Sequence, residues 1–247
     1  MNILGIEFRK FVVVGAGGTG SYLLPMLVRY LNSVNDGSIC DGDKYDEGNM
    51  NRQEFAHSRM GRNKADVQVE MYQRKFPELS ITAVSEYLGV DNIENVIQDR
   101  TVVFCCVDNH FCRNIISKHC QKLDNALLIS GGNEEFDGNV QAFCRLNGVN
   151  MNNPIEVRHP EIERTQDGDR SEMSCEELAQ LPSGGQIIFT NATSANIMCN
   201  LFFGYVCGSK DIEKVDDIFF DIRIAKTARI KCFFFILSYK GFSCSFP

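Results

Sequence analysis

The chain has 247 residues, 44% hydrophobic and 23% charged, with a formal net charge of −7 at pH 7. These values exclude a largely disordered chain, and the acidic balance excludes a global counter-charge for nucleic acid or an anionic membrane. No run of roughly 18 apolar residues occurs, so no spanning helix is expected. The opening MNILGIEFRK lacks the basic end, apolar stretch and cleavage site of a secretory leader, so a cytoplasmic location is expected. The 11 cysteines sit largely inside apolar runs such as VVFCCVD and QAFCRL, where a reduced thiol packs as a small hydrophobe. No C-x-x-C pair exists, and no zinc site is expected.

Residues 10–14, KFVVV, form a β-branched run ending at GAGGTGS. Over 22–31, Leu23, Leu24, Leu27, Val28 and Leu31 recur at helical spacing. Strand, glycine turn and helix open a βαβ unit. Residues 38–40 predict a second strand ending at Asp41. Residues 63–76 predict a helix that Pro77 stops. A strand is expected over 79–83 and a short helix over 92–98. Residues 101–107 are continuously apolar, as in a buried parallel strand. A helix follows over 111–123, then strands over 126–130 and 139–146. This alternation predicts an α/β fold over residues 1–146: a doubly wound, mostly parallel, Rossmann-like sheet. Residues 147–185 turn polar, with Pro154, Pro160 and Pro182 and no clear periodicity. Residues 187–207 predict one apolar helix and 217–230 a strand or hairpin. Residues 186–247 are thus expected to complete the same domain as a C-terminal helix and β-hairpin extension. The tail, KCFFFILSYKGFSCSFP, predicts a buried or partner-covered strand.

Gly15, Gly17 and Gly20 fit G-x-G-x-x-G directly after a strand and before a helix, with Gly18 inside the same loop. The first glycine permits a tight turn, the second lets backbone approach a phosphate, and the third allows close helix packing. The helix N-terminus then offers free N–H groups to an anion. Asp41 lies 21 residues beyond Gly20, where an acid can hold ribose hydroxyls, and Asp43 stands beside it. So far, a nicotinamide- or flavin-dependent oxidoreductase fits as well as an ATP-binding enzyme.

Further motifs separate those readings. After Asp41 and Asp43 come N-x-x-R-Q (Asn49, Arg52, Gln53) and G-x-x-K-A (Gly61, Lys64, Ala65). An apolar strand then ends in D-N-x-x-x-R (Asp108, Asn109, Arg113). These ordered blocks resemble the family of ThiF, MoeB and HesA, the ancestral core of ubiquitin-activating enzymes. A weaker block, SCEELAQLPSGGQIIFTNATSANIMCNLFFG, sits where that family has a cysteine, a glycine-containing loop and a long apolar helix. Within the family, PSGGQ and the compact length look most like the ThiF-family protein of PRTRC gene systems.

The resemblance implies an ATP-dependent adenylyltransferase that activates the C-terminal carboxylate of a small ubiquitin-like or sulfur-carrier protein, as a homodimer. It implies that Arg52 and Lys64 neutralise charge on the transferring phosphoryl group and pyrophosphate. Asp108 would hold Mg²⁺ through one carboxylate plus waters and phosphates. Gly15, Gly17, Gly18, Gly20, Asp41, Asp43, Asn49, Gln53 and Asn109 would line the nucleotide site, with Asp41 on the ribose and Asn49 and Gln53 on the triphosphate or ordering Arg52. Arg52 and Lys64 are expected to be solvent-accessible in the empty site. The polar segment 147–185 would cross over the acceptor's tail. Cys175 is a possible acyl-accepting thiol, but Glu172, Glu176 and Glu177 disfavour its thiolate. Each residue also has a plainer role available: Arg52 as a surface ion pair, Lys64 as a solvated residue in a helix's first turn, Asp108 as the N-cap of the following helix. A catalytically inactive nucleotide-binding scaffold and an NAD-dependent oxidoreductase are the alternatives.

Overall fold

The computed structural model describes residues 1–31, 36–50, 52–164 and 187–231. A short N-terminal hairpin, β1 (Asn2–Ile3) and β2 (Ile6–Glu7), turns through Leu4 and Gly5, both at positive φ. The main sheet begins with β3 (Lys10–Val14), β4 (Asp36–Cys40), β5 (Ile81–Val84), β6 (Thr101–Cys105) and β7 (Ala126–Asn133), paired in parallel in the order β5-β4-β3-β6-β7. Beyond β7 the sheet turns antiparallel through β8 (Asp137–Leu146), β10 (Val215–Asp221) and β11 (Lys226–Lys231), and β9 (Val149–Asn150) pairs with β8. The Rossmann-like, mostly parallel sheet and its C-terminal helix and hairpin are therefore as the sequence predicts.

Both faces are covered, which explains the continuous apolar runs. Along β3, Phe11 and Val13 enter one core, while Val12 and Val14 enter the other. The first core is closed by α1 (Gly18–Leu31), α2 (Lys64–Lys75) and the long α6 (Ile188–Val206). The second is closed by α3 (Ile93–Val96), α4 (His110–Cys120) and α5 (Ile155–Arg158). Cys40, Cys105, Cys112, Cys120 and Cys144 are buried free thiols, as expected of packing residues.

Some boundaries differ from expectation. Helix α1 starts at Gly18 rather than near residue 22 and carries Pro25 in its interior. The glycines score poorly as helix formers, yet Gly20 must lie in the first turn for α1 to press against Gly15. Strand β6 ends at Cys105, two residues early: Cys106 N still donates to the Val14 carbonyl at 2.8 Å, and the Cys106 carbonyl and Val107 N then lie against Gly15. The polar segment after 146 begins with structure the sequence does not predict: α5 and a 3-10 turn (Pro160–Arg164) bury Ile155 and Ile162 against α4. The rest of that segment, including Cys175 and PSGGQ, and the Phe-rich tail lie outside the described residues.

Candidate active site

Strand order reverses about β3, with β4 on one side and β6 on the other. At such a switch point the chain leaves a crevice at the carboxyl ends of the strands. The glycine loop fills its floor. Gly15 sits at φ +90°, and a Cβ there would lie 2.9 Å from the Cys106 carbonyl. A Cβ on Gly20 would fall 2.0 Å from the Gly15 oxygen, so only glycine lets α1 start this close. Gly17 faces the Gln53 amide, and Gly18 faces the Asn191 amide.

Asp41 ties this loop to β4. Its Oδ2 accepts from Ala16 N at 2.6 Å, and its Oδ1 accepts from Asp43 N at 2.8 Å. Burial pushes its carboxyl above the ordinary value, opposed by Lys64 and by those two N–H groups. Asp43 then meets Lys64 twice. Its Oδ2 pairs with Lys64 Nζ at 3.1 Å, and its carbonyl accepts from Lys64 N at 2.9 Å. A lysine in the first turn of α2 opposes the helix dipole, and Asp43 supplies the compensating charge. The Tyr87 hydroxyl donates to the other oxygen of Asp43.

The stretch between β4 and α2 folds over this pair. Asn49 Oδ1 accepts from Asp46 N, and the Asn49 carbonyl accepts from both Arg52 N and Gln53 N. Asn49 thus orders the turn that carries Arg52. Glu54 N donates to Ser21 Oγ, which clasps the stretch to α1. Tyr45 stacks on Phe55 at 4.0 Å, and its hydroxyl accepts from Gln68 Nε2. The result corrects one expectation: Arg52 and Lys64 are buried, not solvent-accessible. The covering stretch and the depth of α2's first turn remove them from water.

On the other side of the crevice, Asp108 and Asn109 are exposed between β6 and α4. The N-cap role falls to Asn109, whose Oδ1 accepts from Cys112 N at 2.8 Å, and not to Asp108. Arg113 braces this turn. It donates to Ser130 Oγ and the Gly131 carbonyl, both at 2.7 Å, and to the Val107 carbonyl.

Several residues join the site without having been legible. Thr19 Oγ1 donates to Asn133 Oδ1 at 3.0 Å, and Asn133 Nδ2 donates to Asn191 Oδ1 at 2.8 Å. This chain links the glycine loop, the end of β7 and the first turn of α6. Buried Asn191 Nδ2 and Gln53 Oε1 have no hydrogen-bond partner among the described residues. Both therefore offer polar atoms beside the glycine loop. The cradle without side chains, the buried lysine and these polar atoms fit a nucleotide triphosphate. The Asp108 carboxylate at a strand end fits Mg²⁺, which keeps several waters and is completed by phosphate oxygens.

Residues 4–219 match the ThiF family. The chain belongs to that family. Among curated relatives, "Adenylyltransferase and sulfurtransferase UBA4" of Candida glabrata is 29% identical over 130 residues, which span 52% of this chain and 30% of the relative. "Ubiquitin-like modifier-activating enzyme 5" of Bombyx mori is 30% identical over 148 residues, 55% of this chain and 37% of the relative. The chain thus spans about a third of the length of these curated relatives. Among solved structures, E. coli MccB with MccA-N7isoASN superposes with a TM-score of 0.71 at 14% identity, covering 90% of this chain and 64% of MccB. At that identity the likeness is one of fold. MccB has also been solved with ATP. No described helix is long and apolar enough to cross a membrane.

Proposed function

We propose that this ThiF-family chain is an adenylyltransferase that uses ATP and Mg²⁺ to activate the C-terminal carboxylate of a small ubiquitin-like or sulfur-carrier protein. The observation that carries the reading is the meeting, at one sheet edge, of the glycine cradle with Lys64, Asp43 and Asp41. The relatives named above, an adenylyltransferase and a modifier-activating enzyme, support the same chemistry. A nicotinamide enzyme has no need of a buried lysine joined through Asp43 and Asp41 to the phosphate loop.

In the proposed reaction the acceptor carboxylate attacks the α-phosphorus. An oxygen–phosphorus bond forms, the α–β phosphoanhydride breaks, and pyrophosphate leaves. The carboxylate is already ionised at pH 7, so no general base is required. Gly15, Gly17, Gly18 and the N-terminus of α1 cradle phosphate oxygens. Asp41 holds the ribose. Arg52 presents a planar fork and Lys64 a point charge to the oxygens on which negative charge builds. Gln53 and Asn109 lend amide groups, and Asn49 holds Arg52 in place. Asp108 would hold Mg²⁺, which when bound neutralises phosphate charge. Residues 1–146 form the nucleotide-binding part of this reading, 147–185 the acceptor-facing crossover, and 186–247 the completing elements.

A cytoplasmic homodimer completes the proposal. The long helix α6 leaves Phe189 and Phe203 exposed, and apolar side chains on one helix favour a two-fold interface. Light scattering that gives the monomer mass of 27.8 kDa overturns the dimer. The enzymatic reading is tested by ATP–pyrophosphate exchange with candidate acceptors, alongside calorimetry with MgATP and NAD. Magnesium-dependent ATP binding and acceptor-dependent exchange are expected. ATP binding without exchange for any acceptor would favour the scaffold, and tighter NAD binding would sink the adenylation reading.

A further inference from the structure

Tyr87 is the most exposed large hydrophobic side chain of the β5–α3 connection, at 67%, yet one ring face, its hydroxyl and its backbone are held. Its ring lies flat on Gly42: a Cβ there would sit 2.6–2.8 Å from Cγ, Cδ2 and Cδ1. Three ring atoms at nearly equal distance mean that the glycine meets a face of the ring, not its edge. The hydroxyl donates to Asp43. That bond and burial push the phenol up to about 12, so it remains a neutral donor.

The backbone behind the ring is held as firmly. Cys40 Sγ donates to the Glu86 carbonyl at 3.3 Å, and Asn92 Nδ2 donates to the Tyr87 carbonyl at 3.0 Å. Asn92 Oδ1 accepts from Gly89 N at 2.9 Å, and Leu88 is buried in the α4-side core. An aromatic ring locked at its hydroxyl, one face and its backbone, with the other face open, loses little entropy on stacking a planar ligand.

Its position says which ligand. Gly42 stands between Asp41 and Asp43 at the carboxyl end of β4, and Tyr87 follows β5, the neighbouring strand. A nucleotide with phosphates on the glycine loop and ribose at Asp41 directs its base outward along this same edge. We propose that the open face of Tyr87 is a stacking platform for the purine base, making Tyr87 a specificity-determining residue of the nucleotide site. The inference rests on the nucleotide reading above and adds a base-recognising residue to it. Gly42 is the partner requirement, since any side chain there would displace the ring. Purines offer more stacking area than pyrimidines, so the platform favours ATP over CTP and UTP.

The test is calorimetry of the full chain with MgATP, MgCTP and MgUTP, for the native protein, Tyr87→Phe and Tyr87→Ala. Stacking predicts that Tyr87→Ala weakens ATP binding about 10-fold or more and narrows the gap between ATP and the pyrimidine nucleotides. Tyr87→Phe should stay within about 3-fold of native, because it keeps the ring. In exchange assays the Ala variant should raise KM for ATP with little change in kcat. Unchanged or tighter ATP binding by Tyr87→Ala overturns the platform; in the latter case the ring is a plug. Equal losses in Phe and Ala also overturn it, by assigning the effect to the hydroxyl. Failure of the native chain to bind any nucleotide defeats the nucleotide reading itself. Native binding with no acceptor activity leaves the platform standing and sinks only the enzymatic reading.

Discussion

At the carboxyl end of β4 the buried partner of an ion pair is the cation: Lys64 is 2% exposed and its carboxylate, Asp43, 38%. On the antiparallel side of the same sheet the order is inverted. Asp217 of β10 is 1% exposed, and its partner His159 is 16% exposed. His159 uses both ring nitrogens, Nε2 at 2.8 Å from Asp217 Oδ2 and Nδ1 at 2.9 Å from Glu161 Oε1, with Asn139 Nδ2 at 3.1 Å from Nε2. Next to it Arg158 and Asn153 share Asp216. The second set is closed to solvent at Asp216 and Asp217, although Asp217 Oδ1 has no partner among the described residues, and it fastens the chain after α5 to β8 and β10. On the proposed reading the first set is open: its half-exposed carboxylate would let an incoming anion share the buried ammonium. On that reading buried charge serves two ends here, and the exposure of the two carboxylates, 38% for Asp43 against 1% for Asp217, separates them.

The largest expected effect tests the open set. Lys64→Ala and Arg52→Ala should each lower ATP–pyrophosphate exchange about 10²-fold or more, as for loss of a preorganised charge at a developing one. Both side chains are buried, so urea unfolding of each variant must accompany the assay. Exchange within a few-fold of native in a folded Lys64→Ala protein would falsify the assignment of Lys64 to the phosphates.

The closed set should behave in the opposite way. Asp217→Asn keeps the shape but removes the charge that holds His159, and should cost about 1.5–3 kcal/mol of stability. Exchange at saturating substrates should change less than about 2-fold, because no reacting group is touched. The same bond makes stability depend on pH. Burial alone would lower the His159 pKa, but the hydrogen bonds and charges of Asp217 and Glu161 outweigh it and raise it above 6.5. The folded state thus binds this proton more tightly than the unfolded chain does. The contribution is fully present below about 6.5 and is lost as pH rises through the raised value. Urea midpoints should fall over that window in the native protein and flatten in Asp217→Asn. A variant as pH-dependent as the native chain would remove His159 from the account, and one that loses exchange while staying folded would merge the two sets.

The two sets also differ in how far the sequence exposes them. Asp41, Asp43, Asn49, Arg52, Gln53 and Lys64 fall within 24 residues, so local spacing carries the motif. Strands β3 and β6 are legible because burial on both faces leaves near-continuous apolar runs, whereas β5 at the edge reads by alternation. What the spacing did not carry was depth: nothing local says that the 42–63 stretch folds over Arg52 and Lys64. His159 and Asp217 are 58 positions apart, and no pattern joins them before β10 pairs with β8. Tyr87 meets Asp43 across 44 positions, and Thr19 meets Asn133 across 114. The first turn of α1 was missed because propensity disfavours glycine there, while the fold demands it. Helix α5 and the turn after it were hidden by a polar composition in which only Ile155 and Ile162 reach the core.

The smallest effect is expected at Cys175, which tests whether an open charge site suffices without a covalent relay. A thiol that accepts an activated acyl group needs a lowered pKa, from a cation or a helix N-terminus nearby. Its sequence neighbours Glu172, Glu176 and Glu177 carry the opposite charge and disfavour the thiolate. The acyl adenylate is itself reactive enough to pass its acyl group to an external nucleophile. Cys175→Ala should therefore adenylate the acceptor at close to the native rate, and any thiol-linked conjugate should be minor. Non-reducing electrophoresis of enzyme, MgATP and acceptor decides the matter. A reductant-sensitive conjugate formed in good yield by the native chain and absent from Cys175→Ala would overturn the expectation. It would place a second reactive centre beyond the pair at β4, and the charge set there would then be only the first half of an activation cycle.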